Sequence, residues 1–169
     1  MHKDDLYNVS MVYLGYRRGG GSMEVLFVYS LLYSIGYEKY DEYREALDNL
    51  FCCTPEDEIL LDLEGRDYKD AMLHLYQLMN ELSFDIIKFG GQLMSELKTV
   101  YEESDIVGFS EKMYDLWKLL PDKINNEEPF YTLNYAGDCL SYGDEIRCCE
   151  LYKCALNYYE DNSNQYKEV

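Results

Sequence analysis

Residues 130–159, FYTLNYAGDCLSYGDEIRCCELYKCALNYY, constrain the fold more than any other stretch. Two apolar runs flank a short break at Gly143-Asp144. Leu133, Ala136, Gly137 and Leu140 recur at helical spacing before it, and Cys148, Tyr152, Ala155 and Tyr159 after it. The pattern predicts a helical hairpin whose small residues let the two helices approach closely. The rest of the chain keeps the helical period, prolines number 3, and no long run alternates as a strand would. The expectation is an all-α fold. It is a single-domain antiparallel helical bundle or solenoid over residues 1–169, with about seven to eight helices.

A first helix is expected over residues 4–16, with Leu6, Val9, Tyr13 and Tyr16 on one face. Gly19-Gly20-Gly21 then forms a flexible joint. It lacks the preceding strand and the Gly-Lys-Ser/Thr ending that a phosphate-binding loop requires. Met23–Ser34, capped by Ser22, is apolar nearly all round and reads as the central buried helix. Residues 40–51 turn Tyr43, Ala46, Leu47 and Leu50 inward and Asp41, Glu42, Glu45 and Asp48 outward. Thr54-Pro55 predicts the next start, with Thr54 as cap and Pro55 in the first helical position, and Gly65 the stop. Helices over 68–82, capped by Asp67, and 86–102, restarted at Ser83 or Asp85, follow. Gly90-Gly91 predicts a kink or split in the second of these. Residues 106–120 end at Pro121. Residues 122–129 read as a polar loop and 161–169 as a fraying tail.

The chain carries 33 acidic and 15 basic residues, a formal net charge of -18. Such a charge repels nucleic-acid backbones and anionic membranes and steers basic partners inward. No apolar run reaches the length of a membrane span, and no apolar core follows Met1-His2-Lys3-Asp4-Asp5 as in a signal peptide. The expectation is therefore a cytoplasmic protein with its 6 cysteines reduced. Cys52-Cys53 and Cys148-Cys149 are adjacent pairs, and neighbouring helical residues point to different faces, so neither makes a zinc chelate. His74 reads as a structural histidine rather than a catalytic base. The chain is expected not to be an enzyme and to use no cofactor or metal. Its acids group instead along residues 56–70 and at 102–105. Asp57, Glu58, Asp62, Glu64, Asp67, Glu102, Glu103 and Asp105 are the candidate partner-binding residues. The 19 tyrosines supply amphipathic area suited to a protein contact.

Residues 90–160 resemble tetratricopeptide repeats, helix–turn–helix units that stack into peptide-binding solenoids. The resemblance rests on Leu133, Ala136-Gly137, Tyr142, Gly143-Asp144, Cys148, Tyr152 and Ala155-Leu156. A fainter unit before it uses Leu93, Leu97 and Val100, then Phe109, Met113 and Leu116, then Pro121. Cys148 stands where that repeat has alanine. The same stripes serve any antiparallel bundle. In general character, small, acidic and helical, the chain is also similar to bacterial immunity proteins. Those neutralise toxic nucleases, often basic, by covering the surface that engages substrate. That likeness implies an immunity or antitoxin-like inhibitor of a basic toxin domain. The repeat resemblance implies a scaffold or regulator that holds a peptide of a partner protein.

Overall fold

The structure, a computed structural model, describes residues 22–161. The expected helix at 4–16, the joint at Gly19-Gly20-Gly21 and the tail beyond Asp161 lie outside them. Among the described residues the fold is all-α, without a strand. The helices are α1 (Met23–Ser34), α2 (Tyr40–Cys53), α3 (Glu58–Glu64), α4 (Tyr68–Glu81) and α5 (Ile86–Glu103). Then come α6 (Ile106–Leu119), α7 (Phe130–Tyr135), α8 (Asp138–Ser141), α9 (Glu145–Leu156) and α10 (Tyr158–Asp161). They gather into two compact units. One comprises residues 22–33 and 37–82, the other residues 34–36 and 83–161.

In the first unit α1 is buried on nearly every side, as its apolar circumference demands. Leu26, Phe27, Val28, Leu31 and Leu32 are fully enclosed. Tyr43, Leu47 and Leu50 of α2 and Ala71, Met72, Leu75 and Met79 of α4 complete this core. Tyr68 gathers three rings around itself: Tyr33 at 5.3 Å, Tyr40 at 5.2 Å and Tyr43 at 5.6 Å between centroids. Its hydroxyl accepts a hydrogen bond from the Lys39 backbone N–H at 3.0 Å. The helix start expected at Thr54-Pro55 is displaced. The Thr54 hydroxyl turns back to the Leu50 carbonyl and closes α2. Asp57 caps α3 instead, because one of its carboxylate oxygens accepts from both Ile59 and Leu60 N–H.

In the second unit α5 runs unbroken through Gly90-Gly91, so the helix is not split there. Its buried stripe, Phe89, Leu93, Met94, Leu97 and Val100, continues on both sides of the glycines, so packing carries the helix through them. α6 packs on α5 and α7, and α9 packs on α7, α8 and back onto α5. That return contact closes a ring of helices. The hairpin's first helix is split into α7 and α8 at Ala136-Gly137, where Ser110 presses its hydroxyl against Gly137. Gly143, at φ +77°, makes the tight turn into α9, a conformation open chiefly to glycine. The loop expected to be polar buries Ile124 completely, and the Trp117 indole N–H donates to Asn125 O at 2.7 Å.

α10 lies on α5 because Gly90 has no side chain: a Cβ there would overlap the ring of Tyr159. Lys98 and Glu160 pair across the same contact. Nothing stands near the corresponding point on Gly91. Gly91→Ala is therefore expected to stabilise the protein by about 0.5–1 kcal/mol, through helix propensity. Gly90→Ala is expected to destabilise it by about 1–2 kcal/mol. Urea denaturation of the two variants checks the opposite signs.

Buried acids set the alkaline limit of the fold. Burial, with Cys149, Cys139 and Glu145 adding to it, pushes the Cys148 thiol up to about 11. Burial likewise pushes the Tyr43 and Tyr152 hydroxyls up to about 12, in Tyr152 against the pull of neighbouring Ser110. In the unfolded chain the same groups ionise near 9.0 and 10.0. The folded state then holds more protons than the unfolded state, so stability falls as pH rises through this range. The urea midpoint is expected to drop steadily between pH 9 and about 12. A midpoint constant across that window contradicts the account.

Candidate functional site

The acidic residues divide by what their side chains do. Among the described residues, five helices begin on an aspartate whose carboxylate accepts from backbone N–H groups of the first turn. These are Asp57, Asp67, Asp85, Asp105 and Asp144, at the starts of α3, α4, α5, α6 and α9. Each satisfies otherwise orphaned donors and complements the helix dipole. Three of the candidate residues, Asp57, Asp67 and Asp105, therefore have a structural role.

Two more are paired. The Arg44 guanidinium grips both oxygens of Glu64, at 3.0 and 3.1 Å, joining α2 to α3. Asp62 accepts from Arg66 Nε at 2.7 Å and faces His74 Nε2 at 3.1 Å. The guanidinium holds the Asp62 carboxyl below the usual carboxylate range, with smaller help from His74. His74 is thus half-buried and faces a carboxylate. Glu58, Glu102 and Glu103 are exposed. The first five candidates stand in the first unit and Glu102, Glu103 and Asp105 in the second.

A different surface in the first unit gathers carboxylates more closely. Along α2 and its approach, Glu38, Asp41, Glu45 and Asp48 are exposed at steps of three and four residues. At that spacing side chains are neighbours on one helix face. Like charges so placed repel, at a cost of a few tenths of a kcal/mol per pair. The basic residues between 22 and 82 are Lys39, Arg44, Arg66 and Lys69. Lys39 pairs with Glu42 at 3.7 Å, Arg66 with Asp62, and Arg44 with Glu64 and, at 3.9 Å, with Asp48. Among the described residues of this unit, little positive charge is left to neutralise the stripe. Asp41, Glu45 and Asp48 face outward by their spacing in the sequence but are not among the candidate residues, most of which lie along residues 56–70, where caps and ion pairs absorb the charge.

The thiols at Cys52, Cys53 and Cys154 are exposed, and Cys148 is buried. Among the described residues no group of three or more His, Cys, Asp or Glu is arranged to hold a metal ion. Among them, too, no helix is long and apolar enough to cross a membrane. No family model matches this chain, and neither a curated protein nor a solved structure matches it.

Caps and exposed acids are expected to respond differently to substitution. Asp57→Ala and Asp105→Ala should each cost about 1 kcal/mol of stability. Glu58→Ala and Glu102→Ala should stay within about 0.5 kcal/mol of the parent. Equal losses in all four denaturation curves contradict the division.

Proposed function

We propose that this protein is an acidic protein-binding module, an immunity or antitoxin-like inhibitor that neutralises a basic, nuclease-type toxin by masking its active surface. The observation that carries the reading is the α2 stripe of Glu38, Asp41, Glu45 and Asp48. It is a row of exposed like charges, and among the described residues of the unit only Arg44, at 3.9 Å from Asp48, is paired with any of the four. A partner surface that binds nucleic acid is lined with Lys and Arg, and this stripe is its electrostatic complement. Glu58, Glu102 and Glu103 extend the acidic exterior without a capping duty. Attraction of this kind speeds encounter and weakens with added salt. The module works without cofactor or catalytic step, in the cytoplasm, on a protein partner rather than on nucleic acid or a membrane.

A second reading is a repeat-type scaffold or regulator that grips a peptide. The succession of α5 with α6, and of α7 and α8 with α9, favours it.

The test is capture of partners from the source cells at low salt, with the parent and with a triple variant, Asp41→Lys, Glu45→Lys and Asp48→Lys. The parent is expected to retain a basic protein that elutes as salt is raised. The variant, folded by circular dichroism, is expected to lose it. Recovery of no basic partner, or equal capture by the variant, overturns the reading.

A further inference from the structure

Among the described residues, the two most exposed large apolar side chains are Tyr142, at 87 % of its full exposure, and Ile146, at 77 %. They stand four residues apart on either side of the Gly143 turn, within an exposed run, residues 141–147. This tip is not a loose loop. Gly143 N–H donates to Leu140 O at 3.0 Å and Asp144 N–H to Cys139 O at 2.9 Å. Asp144 then caps α9 by accepting from Arg147 N–H at 2.9 Å. The turn is fixed at both ends, and the apolar pair is displayed on it at little further entropic cost to a binder. Neither side chain contributes much to the core, so folding alone does not account for an isoleucine and a tyrosine here.

The charges around the pair are mostly of one sign. Asp138, Asp144, Glu145 and Glu150 are exposed there, and Arg147 is paired with Glu150 at 3.3 Å. An apolar centre inside a charged rim is the layout of a protein contact.

We infer that Tyr142 and Ile146, displayed on a turn whose backbone is fixed, enter an apolar pocket rimmed by Lys and Arg on a basic protein partner. The inference rests on the reading of a basic partner, and names where that partner gains its apolar contact. The charge of the rim selects the occupant. A second copy of this chain would bring the same acids against themselves, whereas basic side chains would pair with them.

The test selects peptides from a displayed random twelve-residue library on the full chain. The counter-target is a double variant, Tyr142→Ala with Ile146→Asp. Both positions are exposed, so the variant is expected to fold, which thermal denaturation checks. Enriched peptides are expected to combine Lys or Arg with large apolar residues. A synthetic copy should shift the amide signals of residues 141–150 and bind the double variant at least about tenfold more weakly. Leu61→Ala, an exposed apolar residue of the other unit, should leave its affinity unchanged. No enrichment, peptides without basic residues, self-association of the parent that the double variant abolishes, or equal affinity for both proteins overturns the inference. Because selection proceeds without the natural partner, this outcome is separable from the capture that decides the α2 surface.

Discussion

Phe109 is the point on which the second unit turns. It is wholly buried, with Tyr101 of α5 and Tyr152 of α9 each 4.9 Å away and set at 84° and 89° to its ring. Edge-to-face contacts of this kind add about 0.5–1.5 kcal/mol each beyond the area they bury. They require helices from three places in the chain to converge on one side chain. For α9 to reach Phe109, the segment before it must pass close to α6. It does so at Ala136-Gly137, where the absence of a side chain admits Ser110. The split between α7 and α8, the sharp turn at Gly143 and the outward display of Tyr142 and Ile146 all follow along the chain from that passage.

The second constraint is charge. A chain with a formal net charge of -18 must fold against its own repulsion. Much of the acid is turned to structural use. Among the described residues aspartates open five helices, and Arg44 and Arg66 are held by carboxylates. An acidic composition is for that reason a weaker guide to a partner than the arrangement of the acids left over. On α2 these repeat at helix spacing with little to balance them, and that arrangement, rather than the total, bears on function.

The helices themselves were legible in the sequence. Met23–Ser34 was readable from its apolar circumference, α4 from a cap followed by a periodic stripe, and α6 from its stripe and the Pro121 stop. Local signals failed where two rules competed. Thr54-Pro55 has the form of a helix start, but Asp57 offers two backbone bonds and wins. Gly90-Gly91 has the form of a break, but tertiary packing of Phe89 and Leu93 overrides it, and Gly90 instead receives a tyrosine ring. Ile124 sits in a polar stretch, and only the fold reveals that its side chain is enclosed. The candidate surface was harder to read. Proximity along the chain groups Asp57, Asp62, Glu64 and Asp67, yet capping and pairing are three-dimensional facts that a sequence does not display. Ile146 lies off the stripe of Cys148, Tyr152 and Ala155, and the degree of its exposure is seen only in the fold.

The reading joins two properties: long-range attraction from an acidic stripe, and short-range anchoring by a fixed apolar tip. Attraction of the first kind acts before contact and so governs how fast partners meet. The most direct measurement is the association rate constant with the captured partner as sodium chloride is raised from 50 to 500 mM. The account predicts a steep fall in that rate, with the dissociation rate changing far less. An association rate indifferent to salt contradicts it.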